Sequence, residues 1–166
     1  MQTSFIHLRV SSEFSISRGL LRINEIIENA QKLNMPAVAL TDLNNMFGMV
    51  KFFKKAEAAG IKPIAGTTLN LKSHAGEFGE ILCLAKNNEG LKSLMGIISK
   101  SQLQQENGYI SITFKDLSSC AGNIIVIAGG SSSTIFNLAK LKKNEDFKTE
   151  LLSVQETFQN DVCINF

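Results

Sequence analysis

Apolar and polar side chains alternate from Phe5 to Val10, with Ile6, Leu8 and Val10 on one side and Phe5, His7, Arg9 and Ser11 on the other. That period predicts a strand with two unlike faces. A polar stretch over residues 11–19 follows, and then Ile23, Ile26, Ile27, Ala30 and Leu33 recur at helical spacing. They predict an amphipathic helix over residues 21–33, ended by Pro36, because proline disfavours helical geometry in the residue before it. The short apolar run at residues 37–41 predicts a strand covered on both faces. A second helix is expected over residues 46–59, with Val50, Phe53 and Ala56 turned inward and Gly60 as its terminator. Strands are expected at residues 62–71 and 80–85, joined by a hairpin turn at 73–79. Leu91, Leu94, Met95 and Ile98 mark a third helix. Residues 109–114 fit either a short strand or an extended loop. A buried strand at 123–128, helices at 134–142 and 146–158, and a last strand at 162–166 complete the series.

Strands alternating with helices in this order imply parallel crossover units and an α/β fold. Periodicity leaves open whether the sheet is flat or curls into a barrel. The apolar strand at the carboxyl end has no helix after it, so the chain is expected to be one part of a larger domain. No internal repeat, low-complexity tract or linker interrupts the pattern.

Composition narrows the class. Of 166 residues, 44% are hydrophobic and 19% charged, the balance of an ordinary globular protein. Seventeen basic and fifteen acidic residues leave a net charge of only +2, too little to argue for nucleic-acid binding by this segment. Lysines gather at 51, 54 and 55 and again at 140, 142 and 143, and both groups read as solvated helix faces. Cys83, Cys120 and Cys163 lie far apart with no metal-binding spacing, which fits a reduced, cytoplasmic compartment. No apolar run approaches the length needed to span a bilayer.

In parallel α/β proteins, chemistry sits where strands end and loops converge. Three such ends are readable here: His7, Arg9 and Ser11 on the first strand; Thr41, Asp42, Leu43, Asn44 and Asn45 after the second; Gly66, Thr67 and Thr68 on the third. The stretch Phe5-Ile6-His7-Leu8-Arg9-Val10-Ser11-Ser12-Glu13-Phe14-Ser15 resembles the opening motif of the PHP domains found at the amino terminus of bacterial DNA polymerase III alpha subunits. Ala39-Leu40-Thr41-Asp42-Leu43-Asn44-Asn45-Met46-Phe47-Gly48 is similar to that family's second motif, and Ala59-Gly60-Ile61-Lys62-Pro63-Ile64-Ala65-Gly66 to its third. The likeness is specific over about the first hundred residues and looser beyond. It implies a distorted (β/α)7 barrel of the TIM type, here present only in part, with residues 1–166 forming the amino-terminal portion of one PHP domain.

The resemblance also implies where metal ligands belong, and this chain departs from it. Arg9 and Ser11 stand where active members have a His-x-His pair. Arg18 replaces an acidic residue, Leu43 a histidine and Thr68 a glutamate. His7 and Asp42 are the surviving candidates of a vestigial pocket made of His7, Arg9, Ser11, Arg18, Asp42, Leu43 and Thr68. Transition metals need several imidazole or carboxylate groups converging on one point. A guanidinium cannot lose its proton to ligate a cation. No metal and no catalytic residue is therefore expected. Arg9 is expected to stand in for the lost positive charge by pairing with Asp42, since an unpaired buried carboxylate costs several kcal/mol. His7 reads as a hydrogen-bonded core histidine, His74 as a turn residue remote from the site, and Phe47, Phe52 and Phe53 mostly as core, the alternative for some of them being an exposed patch for a partner. The run Gly129-Gly130-Ser131-Ser132-Ser133-Thr134 reads as a turn with a helix cap rather than a phosphate cradle.

For function, the resemblance implies a parent DNA-directed DNA polymerase that works on DNA with magnesium in a palm outside this segment. This part would be a cofactor-free structural domain that docks the rest of the polymerase III core and the proofreading exonuclease subunit. The alternative is an active metal-dependent phosphoesterase, a pyrophosphatase or 3′ exonuclease.

Overall fold

The computed structural model describes residues 5–16, 18–105 and 108–165. The chain forms two compact units, one up to Thr67 and one from Thr68 onward.

In the first unit, helix α1 (Ile23–Lys32) leads to strand β1 (Ala37–Leu40), helix α2 (Met49–Ala58) and the first part of strand β2 (Lys62–Lys72). β1 and β2 run parallel, Ala37 opposite Lys62 and Leu40 opposite Ala65. Both helices hand the chain to a strand in the same way. The Asn34 amide bonds back to Gln31 and the Met35 amide to Ala30, and after α2 Gly60 bonds to Glu57 and Ile61 to Ala56. Each is a Schellman closure whose pivot needs a left-handed backbone, supplied by Asn34 at φ 52° and Gly60 at φ 73°. The buried stripe of α2 is Met49, Phe52 and Ala56, one residue out of phase with the expected Val50 and Phe53. The helix starts only at Met49, and its N-cap Gly48 is packed against Phe14 and Ile23, each 2.9 Å from where a Cβ would stand. Val50 and Phe47 consequently face solvent, while Phe52 is fully buried.

The strand expected over residues 5–10 does not form a regular ladder. Its segment still runs beside β1: Ala39 donates to the His7 carbonyl and Thr41 to the Val10 carbonyl. Between those two bonds one segment advances by three residues (7 to 10) and the other by two (39 to 41). That mismatch interrupts both the pairing and the side-chain alternation, as a bulge does. The Thr41 hydroxyl then takes the Val10 amide at 3.0 Å, in place of a backbone carbonyl.

The second unit holds the rest of β2, then β3 (Phe78–Ala85), α3 (Asn88–Leu103), the two-residue β4 (Ile112–Thr113) and α4 (Phe114–Ser118). It continues with β5 (Ile124–Gly129), α5 (Thr134–Lys140), α6 (Asn144–Phe158) and β6 (Val162–Asn165). β4 lies parallel to the end of β2, β3 antiparallel to β5 and β5 parallel to β6. The sheet is mixed, within the α/β class expected. Leu71, Ile81, Leu82, Leu94, Leu117 and Leu138 are fully buried in this unit, each contributing about 1.5–3 kcal/mol by leaving water. α6 carries a carboxylate inward: Glu150, only 1% exposed, accepts from the His74 amide at 3.2 Å and sits 2.9 Å from its Nδ1.

Candidate functional site

The site is built from the loop that leaves the amino-terminal segment and the turn that leaves β1. β1 delivers Thr41 and Asp42 fully buried. Asp42 then meets two serines. Its Oδ1 accepts from the Ser12 amide at 2.7 Å and the Ser15 hydroxyl at 2.6 Å, and its Oδ2 from the Ser12 hydroxyl at 2.7 Å. Ser15 Oγ in turn accepts from the Leu43 amide at 3.0 Å. Around this clasp, Thr67 Oγ1 donates to the Asp42 carbonyl at 2.8 Å, and the Asn45 amide group bonds the Phe14 and Leu43 carbonyls. The loop can come this close because Gly19 lies against Ser12, where a Cβ would stand 1.7 Å from the Ser12 carbonyl oxygen.

The expected Arg9–Asp42 pair is absent among the described residues. Asp42 is 1% exposed and its charge is met by hydroxyls and an amide, whereas Arg9 is exposed. Several short hydrogen bonds to a carboxylate stabilise it in the interior in the way a cation would otherwise be asked to. His7 is also exposed rather than core, its ring edge-on to Phe5 at 4.7 Å. The broken alternation of the first segment explains both placements.

Of the seven sequence candidates, four converge elsewhere. His7, Arg9, Ser11 and Arg18 line one cleft of about 590 Å³ whose walls include Leu21, Ile26, Ala30 and Val38. Asp42 and Leu43 do not line it; they belong to the serine clasp. Thr68 is buried on β2, as the first residue of the second unit. His74 sits in the β2–β3 hairpin as expected, bonded to Glu150. Ser133 caps α5 by accepting from the Phe136 amide, so the serine run is the turn that its sequence suggests.

Sequence reasoning placed Thr67 at a strand end without giving it a role, and gave none to Ser12 and Ser15. The signal was present in the Ser12-x-x-Ser15 spacing, which places two hydroxyls one turn apart at the mouth of the loop.

The donor set does not fit a metal cluster. Among the described residues, no three histidine, cysteine, aspartate or glutamate side chains gather where they could hold an ion. Both oxygens of Asp42 already accept hydrogen bonds from the two serines.

The model of the PHP domain family matches residues 7–166. The chain belongs to the PHP domain family. This PHP domain is 40% identical over 146 residues to the DNA polymerase III alpha subunit of Vibrio cholerae, covering 85% of the chain and 12% of that protein. It is 35% identical over 170 residues to the alpha subunit of Borreliella burgdorferi, covering 96% of the chain and 15% of the relative. The chain thus spans well under a fifth of those polymerases. A two-domain protein from Bacteroides vulgatus, described as containing a predicted PHP-like metal-dependent phosphoesterase, superposes with a TM-score of 0.51 at 12% identity. The superposition covers 96% of this PHP domain and 49% of that chain, and it supports the partial PHP barrel as a fold. Among the described residues, no helix is long and apolar enough to cross a membrane.

Proposed function

We propose that this region is a non-catalytic PHP domain of a replicative DNA polymerase III alpha subunit, kept for its fold and its surface. The observation that carries the reading is the clasp at Asp42. The one carboxylate of the second motif is engaged by Ser12 and Ser15, which take three of its roughly four lone-pair sites. Arg9 and Ser11, lining the neighbouring cleft, add a fixed positive charge and a hydroxyl there in place of metal-binding imidazoles. Both changes oppose metal-dependent phosphoester hydrolysis, which relies on a cation to polarise the phosphoryl group and activate water.

In this proposal the surrounding cytoplasmic polymerase extends primers on DNA, using magnesium bound outside these residues. The PHP domain packs against the polymerase core and docks the proofreading exonuclease subunit, and it needs no cofactor for that work. Elemental analysis of the purified protein together with a phosphoester turnover assay tests the catalytic half. The expected result is metal far below stoichiometry and no turnover. Near-stoichiometric zinc, manganese or iron with turnover would establish the phosphoesterase instead. Retention of the exonuclease subunit on the immobilised amino-terminal region tests the docking half, and no retention at micromolar concentration overturns it.

A further inference from the structure

We infer that His74 is a modification site: its Nε2 nitrogen accepts a phosphoryl group from a small activated donor, and Glu150 stabilises the transfer. Three features of the second unit point to it.

The first is what holds the ring. Glu150 Oε2 sits 2.9 Å from His74 Nδ1 and accepts the His74 amide at 3.2 Å. An oxygen that already accepts one N–H of this residue is placed to accept a second, so the neutral ring carries its proton on Nδ1. The Nε2 lone pair is left bare. From α4 the Phe114 ring packs against the imidazole, with centroids 5.0 Å apart, and opposes its rotation.

The second is a contrast in exposure across one bond. The Glu150 side chain is 1% exposed and that of His74 47% exposed. The other carboxylate oxygen, Oε1, is buried and has no hydrogen-bond partner among the described residues. Among those residues His74 therefore supplies every hydrogen bond that reaches the carboxylate. A carboxylate screened from water and shared with no other donor acts strongly on the ring beside it.

The third is the other histidine, which has none of this. The chain contains two. His7 is exposed, edge-on to Phe5, and lines a cleft together with Arg9 and Arg18. No aspartate or glutamate lines that cleft.

Phosphoramidate is a donor of the required kind. The Nε2 lone pair attacks phosphorus, the new N–P bond forms as the bond to the donor nitrogen breaks, and ammonia leaves with that electron pair. The ring, still protonated on Nδ1, becomes a cation as this happens. At His74 the positive charge develops 2.9 Å from a buried carboxylate, which stabilises it. At His7 it develops in a cleft that holds two guanidinium groups. This chemistry stands apart from the docking role proposed above, since it needs neither a metal nor a partner subunit.

The protein is incubated with potassium phosphoramidate in mildly alkaline buffer, where imidazole is neutral. Digestion then avoids acid, because the N–P bond is acid-labile, and mass spectrometry reads the added phosphoryl group at each histidine. His74 is expected to be labelled about tenfold faster than His7. Glu150→Gln keeps an oxygen acceptor and removes the charge, and it is expected to bring His74 down to the pace of His7. Equal labelling of the two histidines, or faster labelling of His7, overturns the proposal. So does an unchanged His74 rate in folded Glu150→Gln protein. Should that variant not fold, the unmutated protein is labelled in urea: the advantage of His74 is expected to vanish on unfolding, and its persistence overturns the role of Glu150.

Discussion

Ser15 donates its hydroxyl hydrogen to Oδ1 of Asp42 at 2.6 Å, in a bond that joins residues 27 positions apart in the chain. The same hydroxyl oxygen receives the Leu43 amide, so one side chain satisfies a buried charge and a loop amide together. Ser15→Ala removes both contacts and leaves polar groups unmatched in the interior. A destabilisation of about 1–3 kcal/mol is expected. A double-mutant cycle with Asp42→Asn in urea should return a coupling of about 0.5–3 kcal/mol. Strict additivity would show that the two residues do not act as a pair.

Arg9 behaves differently. Its side chain is exposed at the cleft and makes no ion pair among the described residues. Arg9→Ala is expected to change stability by less than about 0.5 kcal/mol. Thermal melts of the two alanine variants separate the cases: a clear loss at position 15 and almost none at position 9. A large loss at position 9 would restore the arginine–aspartate pair that the sequence suggested.

Asp116 gives the fold a dependence on acid. Burial raises the pKa of its carboxyl, but hydrogen bonds from Lys100 and Thr113 outweigh that and hold it below the ordinary aspartate value. It closes the capping box of α4, accepting from the Thr113 hydroxyl at 2.7 Å and the Thr113 amide at 3.0 Å. A carboxyl whose pKa falls on folding stabilises the native state above its unfolded value of about 3.9, and that stabilisation fades as pH drops through the lower folded value. Asp116→Asn should therefore cost about 0.5–2 kcal/mol at neutral pH and progressively less below pH ~4. Melts of both proteins across that range check it; a constant gap between them would contradict the assignment.

The three cysteines should label in a fixed order. Cys163 is exposed on β6, while Cys83 and Cys120 are buried. Burial pushes both buried thiols up, away from the reactive thiolate. A maleimide reagent is expected to modify Cys163 promptly, Cys120 slowly and Cys83 only on unfolding. Mass spectrometry of partly labelled protein reads the order directly, and early modification of Cys83 would contradict its burial.

Much of the fold was legible because its signals are local. The helical spacing from Ile23 to Ala30 and the unbroken apolar run of β1 each depend on near neighbours, and both elements appear within a residue or two of expectation. The first strand was misjudged for a non-local reason. Its alternation is regular in sequence, but pairing beside β1 advances unequally between the bonded positions. Hence His7 came out in solvent. The site was half legible. His7, Arg9, Ser11 and Arg18 do share a cleft. Asp42 was correctly singled out as a buried charge needing compensation, yet the search for a partner considered only cations. Hydroxyls carry no formal charge and leave no trace in charge patterning, so Ser12 and Ser15 escaped notice.

The clasp is assembled wholly from the chain's own hydroxyls and amide, so the turn after β1 locks as soon as the polypeptide brings residues 12, 15 and 42 together. On the non-catalytic reading proposed above no loading step has to follow, and a chelating agent is expected to leave the melting curve of this corner where it stands.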